Sequence, residues 1–437
     1  MTLNMNTRVL TKTRDRMNLH ADICVVGGGA AGVMAALTAA KLGKRTVLLD
    51  AMPTVGGQLV STLLGTICGL YSNGPTPHRV TFGPVDDMLN ELYNVGAIHP
   101  RRALDTIVLQ YDETLCGRWT EKALTDAGVT LVLGATLRSV RLKDRRIVEL
   151  DVATRWGDVV VLADGFIDAS GDAAIAWHAG LPVREPEAAQ WGTQMVVIEG
   201  FEEEAIPDFD GFHVGQVMKD KKDEYGLSRE DGFVFAFPGR GVATVNMTHM
   251  PNPTEPVAAA RATLEGRDQA DRVLKLLRKE FPNSMGQARI RAYGLPGIRQ
   301  TRWFVSSHQL TIDEVRTGHR SEDAIARCSW PVEAHDSAEK VHWEKFDRDH
   351  MHYVPLGSLV HRDADNLIAA GRCMDGDVAA LASVRVMGPC FAMGQAAAHA
   401  LDIVGRNSLH DVKVDELAHR VRDNLDARKM DAWCEGV

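Results

Sequence analysis

Apolar positions along the chain change their spacing several times, and each change marks an element. DICVV (22–26) is a short apolar run that ends in GGGAAG (27–32). An alanine-rich stretch to about Lys41 then leads to a second run, RTVLLD (45–50). Strand, glycine turn, helix and strand in that order predict one βαβ unit. Ile107, Leu109, Leu115, Trp119 and Leu124 recur at helical spacing and predict a helix over 107–128, followed by a strand in VTLVLGATL (129–137). From Arg138 to Asp168 the runs RSVRL, RIVELDVAT and DVVVLADGFID are separated by the turn-like KDRR and RWGD, which predicts an antiparallel meander.

Beyond it the texture changes. Strands are expected in QMVVIEG (194–200), GFVFAFPG (232–239) and GVATVNMTH (241–249), with a long amphipathic helix over about 256–281. Thr311 and Glu314 form a T-x-x-E capping box and Gly318 suits a helix end, so 312–317 is a short helix. NLIAAG (366–371) returns to a buried strand, Pro389 fits the first turn of a helix running to Gly405, and 413–428 reads as a polar-faced closing helix.

With 437 residues the chain exceeds what one hydrophobic core usually supports. Apolar residues make up 45% and charged residues 24%, and the net charge of −9 is spread without a basic or acidic block, which argues against nucleic acid and membrane surfaces as partners. Seven dispersed cysteines without a CxxC exclude a disulfide framework, a zinc knuckle and an iron–sulfur cluster, and suit a reducing cytoplasm. Arg8, Lys12, Arg14 and Arg16 ahead of the first apolar run imitate a signal peptide. Asp22 inside that run speaks against one, and Met17 offers an alternative start.

Gly27, Gly29 and Gly32 give G-x-G-x-x-G directly after a strand and opening a helix, with Ala31 in its first turn. Gly27 permits the tight turn, Gly29 admits a pyrophosphate, Gly32 lets helix and strand pack closely, and Asp50 at the end of the next strand can accept from ribose hydroxyls. With Gly56-Gly57 following, the pattern resembles the opening of glutathione-reductase-like FAD-binding flavoproteins. IDASGDA (167–173) is similar to their second signature, and NLIAAGRC (366–373) with SVRVMGPCFAMGQAAA (383–398) is similar to their last. The whole set resembles the FAD-dependent oxidoreductases, remote kin of the fumarate reductase and succinate dehydrogenase flavoproteins. The resemblance implies an α/β fold: a Rossmann-like FAD-binding domain with a β-meander, discontinuous in sequence over 17–185 and 358–437, and an inserted α+β substrate domain at 186–357. It also implies Gln58, Gly171, Asp172, Gly371, Arg372 and Gly388 as further cofactor contacts.

The resemblance explains a 28-residue stretch, 51–78, that contains no charged residue. In such proteins the segment after the glycine doublet lines the flavin, where an unpaired charge would be costly. A helix starting near Gly388 would favour negative charge on the reduced ring.

On the substrate side Arg299 and Arg302 form an R-x-x-R pair, Arg385 precedes the last helix, and His335 beside Asp336 is a candidate base. Seven of the sixteen histidines fall within 308–361. His350-x-His352 lacks third and fourth ligands, so no metal is expected. The expected activity is hydride transfer from a small organic substrate to flavin N5 by a dehydrogenase or oxidase, with an unspecified electron acceptor. The alternatives are a reductase of an activated double bond, an FAD subunit of a larger oxidoreductase or a homo-oligomer, and an RNA-modifying flavoprotein.

Overall fold

The computed structural model describes residues 7, 9, 16–188, 190–203, 211–434 and 436; Arg8, Lys12 and Arg14 lie outside the described residues. A seven-stranded sheet runs in the order Thr130–Leu133, Thr46–Asp50, Met17–Val26, Gly157–Asp168, Arg146–Thr154, Thr136–Lys143, and Leu367–Ala369 also pairs with Gly157–Asp168. Its strands 46–50, 17–26, 130–133 and 367–369 join parallel, while the meander 136–168 is antiparallel. The first apolar run is thus a ten-residue inner strand. Helices Ala30–Lys41 and Met387–Val404 pack against each other in one core, and Cys24, Val47, Leu150, Phe166 and Ile175 contribute to a second.

A four-stranded antiparallel sheet, Phe233–Phe237, Val242–Asn246, Val196–Glu199, Arg289–Tyr293, forms the inserted unit. Helix Pro256–Glu280 buries Ala270, Val273, Leu276 and Leu277 in this unit's own core. The span expected as one unit, 186–357, divides in its packing: Trp303, Leu310, Val315, Ala324 and Val354 join the core that contains Ile23 and Met34.

Three elements differ from the sequence reading. Residues 107–111 are not helical; Thr106–Tyr111 is a strand between Thr66–Ile67 and Ile98–Ala103, and the helix spans Glu113–Asp126. TIVLQY is rich in β-branched and aromatic residues, and Asp112 caps the helix by accepting from Leu115 N at 2.8 Å, which sets the boundary. The closing helix is two pieces, Val414–Arg420 and Arg422–Asp426. Helix Pro84–Asn94 buries Val85, Met88, Leu89 and Leu92 at helical spacing. No helix among the described residues is long and apolar enough to cross a membrane.

Candidate active site

The glycine turn is a rigid cradle. Gly27 has φ +100°, and a Cβ on Gly32 would collide with the Gly27 carbonyl oxygen and reach 3.2 Å from Ala169 Cβ, so this glycine sets how closely helix 30–41 approaches the sheet. Gly29 is different. Its backbone is extended (φ −76°, ψ −171°), and a Cβ there would meet only Gly57 Cα, at 4.0 Å. No side chain caps helix 30–41 and no acid lies in its first turn, so its N-terminal N–H groups face an anion site without a built-in competitor. The doublet is locked to this turn: Gly56 N donates to Gly28 O at 2.7 Å, and a Cβ on Gly57 would come 2.7 Å from Gly29 Cα. Asp50 accepts from Gly28 N at 2.5 Å and Met52 N at 2.7 Å; burial pushes its carboxyl up and these two bonds pull it back. Each carboxylate oxygen keeps a lone pair for a ribose hydroxyl. These residues fit a dinucleotide.

The other signatures converge on the same end of the sheet. Strand 157–168 ends at Asp168, fully buried, which accepts from Ser170 Oγ at 2.6 Å and Ile175 N at 2.8 Å. The Cys373 sulfur takes Gly171 N at 3.1 Å and Ala173 N at 3.4 Å, tying 167–173 to 371–373. Arg372 lies over Gly171 and donates to the Arg299 carbonyl at 3.3 Å. Asp172 bonds Thr301. Gly371 faces Ala31, with a would-be Cβ 3.2 Å from Ala31 Cβ. Two expected cofactor contacts are engaged within the protein: Gly388 N donates to Cys68 O at 3.0 Å, and the Gln58 amide donates to Ile298 O. The last helix therefore begins against Cys68–Gly69, in the uncharged stretch.

On the substrate side the structure collects a buried polar cluster. Arg299 donates to Trp191 O at 2.6 Å and Arg385 to Glu333 O at 3.2 Å; among the described residues neither forms an ion pair. Burial, then the neighbouring Arg385, lowers the Arg299 guanidinium to about 9, and burial lowers Arg385 too. Val386, next to Arg385, packs against Gly69, and Ile298, next to Arg299, accepts from the Gln58 amide, which places the cluster beside the uncharged stretch. His335 is 1% exposed; its Nε2 lies 2.9 Å from Glu333 Oε1 and its Nδ1 lies 3.1 Å from His249 Nε2. Burial, then Arg299, Arg385 and Arg229, holds His335 well below its usual range.

Two sequence expectations are corrected here. The carboxylate beside His335 is Glu333, not Asp336, which pairs with His342 Nδ1 at 2.6 Å on the surface. Glu333 and His335 are two apart at strand Val332–Ala334, a spacing that puts both on one face, so the signal was present in VEAH. Arg302 does not pair with Arg299: it donates to Asp172 O at 3.2 Å and lies 4.6 Å over the Trp177 ring. His249 and Arg229 had no sequence signal, because each reaches the cluster only through the inserted sheet. His350 stacks on Phe346 and His352 meets the same ring edge-on, with His352 Nε2 2.9 Å from Ser383 Oγ.

Fold and cradle together define an FAD-dependent oxidoreductase. The chain belongs to the FAD dependent oxidoreductase family, whose model matches residues 22–421. Its cofactor is FAD. No curated protein matches the chain. Among solved structures it is similar to a geranylgeranyl bacteriochlorophyll reductase-like protein from Thermoplasma acidophilum, at 13% identity over 93% of this chain and 86% of that one, TM-score 0.48. It is also similar to OxyS anhydrotetracycline hydroxylase from Streptomyces rimosus, at 14% identity over 89% and 61%, TM-score 0.44. A third is p-nitrophenol 4-monooxygenase from Pseudomonas putida DLL-E4, at 11% identity over 94% and 82%, TM-score 0.45.

Proposed function

We propose that the protein is a cytoplasmic dehydrogenase or oxidase that takes a hydride from a small organic substrate bearing an anionic group to N5 of FAD. When bound, FAD supplies the two-electron acceptor. The glycine turn, Asp50, the Gly56-Gly57 doublet, Gly171 and Arg372 would hold it. The observation that carries the substrate reading is the state of Arg299 and Arg385. They are two partly buried guanidiniums bonded only to carbonyl oxygens, and their chain neighbours Val386 and Ile298 meet Gly69 and Gln58 of the uncharged stretch that would line the flavin. A buried guanidinium with no counter-ion is costly, and a planar carboxylate matches its fork. An acidic substrate would complete the pair and be oriented by it.

The same site run in reverse is a reductase of an activated double bond. One observation favours that second reading: both histidine side chains of the cluster are engaged on both nitrogens, so no bare base faces the pocket. Anaerobic mixing of the FAD-loaded protein with hydroxy acids, amino acids, amines and sugars tests the substrate class. Acids are expected to bleach the flavin, and their amide or alcohol counterparts are not. Bleaching by neutral or cationic compounds alone would refute the anionic-substrate reading.

A further inference from the structure

Trp191 opens a two-residue strand, Trp191–Gly192, that pairs antiparallel with Met250–Pro251. Both polar groups of its main chain are spent on the buried cluster. Its N–H donates to the His335 carbonyl oxygen at 2.8 Å, and its own carbonyl oxygen accepts from Arg299 at 2.6 Å. The N–H and C=O of one strand residue lie along one edge, and the side chain leaves roughly at right angles to both. The ring leans toward the closed end of the cluster: its centroid lies 6.4 Å from that of His249, tilted by 34°. Trp191 cannot carry its indole elsewhere without releasing Arg299. An acid held by Arg299 is therefore within a side chain's length of that indole.

The indole itself is only partly satisfied. Gln190, Gly192 and Thr193 around it are buried, whereas Trp191 is half-buried. Trp330, a second indole of the cluster, is 4% exposed and spends its N–H on Glu333 Oε2 at 3.0 Å. The Trp191 N–H has no acceptor among the described residues, and His249 is its one ring contact among them. A tryptophan with one end apolar and one end wet ordinarily finds a partner for its N–H when it is covered. At the same place Arg299 and Arg385 are bonded only to carbonyl oxygens and lack an anion. Two unmet needs thus coincide: a planar anion for the guanidiniums, and a flat body with an oxygen on it for the indole.

We propose that the acid this protein binds is aromatic and that Trp191 selects it: the indole stacks on the ring of the ligand, and its N–H donates to an oxygen of the acid group that Arg299 holds. The proposal rests on the reading that Arg299 and Arg385 bind the substrate's acidic group, and it adds the body of the substrate to its charge. Offset stacking of two rings favours an aromatic body over a saturated ring of similar size by roughly three-fold to ten-fold in affinity. A neutral N–H donating to a carboxylate adds roughly ten-fold or more. Trp191 is thus a specificity residue for the ring, as the two guanidiniums are for the charge.

Benzoate, cyclohexanecarboxylate and benzamide separate the two needs. Benzoate and cyclohexanecarboxylate share the charge and differ in the ring; benzoate and benzamide share the ring and differ in the charge. Isothermal titration of the FAD-loaded protein is expected to show benzoate binding tightest, by roughly three-fold to ten-fold over cyclohexanecarboxylate and by more over benzamide. Trp191→Leu should bind the two acids equally while still preferring both to benzamide. Trp191→Phe should keep the ring preference and weaken both acids roughly ten-fold through the lost N–H. The ring is half-buried, so both variants should fold, and FAD stoichiometry with the apoprotein melting temperature checks that. Equal affinity of the wild type for the two acids, or a ring preference that survives in Trp191→Leu, overturns the proposal and leaves the anion reading standing. A Trp191→Phe protein that holds both acids as tightly as wild type overturns the N–H contact. Benzamide bound as tightly as benzoate, or no acid bound at all, overturns the anion reading and the proposal with it.

Discussion

Replacing Gly29 by valine separates the cofactor cradle from the fold. The Gly29 backbone is extended, where valine is at ease, and the space around its would-be Cβ is open except for Gly57 Cα at 4.0 Å. An L-residue at a compatible glycine stabilises by about 0.4–1 kcal/mol through the unfolded chain, so the apoprotein should melt no lower than wild type. The open space is the approach to the uncapped helix N-terminus. Filling it with two methyl groups displaces the pyrophosphate and forfeits two charge-assisted bonds of about 1.5–3 kcal/mol each. That sum corresponds to a loss of roughly a hundred-fold to ten-thousand-fold in FAD affinity. Gly32→Ala should behave in the opposite way. Its Cβ would collide with the Gly27 carbonyl, so helix and sheet must separate at a cost above about 3 kcal/mol, with or without FAD. Thermal melts of both apoproteins, with FAD titrations followed by flavin fluorescence, distinguish the two. A Gly29→Val variant that keeps stoichiometric FAD at a Kd within about three-fold of wild type would show that this turn does not hold the pyrophosphate.

Further outcomes follow from other contacts. Asp50→Ala leaves the buried Gly28 N–H and the part-buried Met52 N–H without their acceptor and should cost about 1–3 kcal/mol in urea unfolding of the apoprotein, besides weakening FAD. Thr311→Ala removes the half of a capping box in which Thr311 Oγ1 accepts from Glu314 N at 3.3 Å, and should cost about 1 kcal/mol by the same measurement. Arg385→Gln should raise the KM for an acidic substrate about ten-fold or more while FAD stoichiometry is unchanged; equal weakening of acids and neutral analogues would contradict the anion role. Burial raises Glu113 from 4.5 to about 6, so the folded state binds its proton more tightly than the unfolded chain does. That contribution is fully present below pH 4.5 and is lost as pH rises through about 6, at most about 2 kcal/mol. Glu113→Gln should therefore gain on wild type between pH 4.5 and 7, and a constant difference across that range would argue against a raised Glu113.

Local sequence carries the cradle because each part does a local job. Gly27 needs a positive φ, Gly32 needs a missing Cβ, and Asp50 ends the next strand, so three spacings state the chemistry. The strand at 107–111 was misread because Ile107 and Leu109 fit both periods, and only Asp112 as N-cap marks the break. The substrate-side cluster is the least legible part. Glu333 and Arg385 meet where strand Val332–Ala334 packs on helix Val378–Val384, and His249 joins them from the far end of the inserted sheet, so no short spacing announces the cluster. Asp336 was the nearer carboxylate in sequence, but it lies past the end of strand Val332–Ala334 and is taken by His342 on the surface, while Glu333 meets His335.

The uncharged stretch is also fastened from a distance. Tyr71, at the end of the uncharged stretch, donates to Asp431 Oδ2 at 2.7 Å and accepts from Trp433 Nε1 at 3.2 Å, while Arg79 N donates to Lys429 O at 2.7 Å. Tyr71 and Asp431 are separated by 360 positions. A ribosome adding about 5–20 residues per second needs roughly twenty to seventy seconds to travel between them. During that interval the residues of the glycine turn and of the uncharged stretch have been made, whereas those that fasten the stretch have not. Whatever the uncharged stretch lines, its fastening through Tyr71 and Arg79 waits for the emergence of residues 429–433.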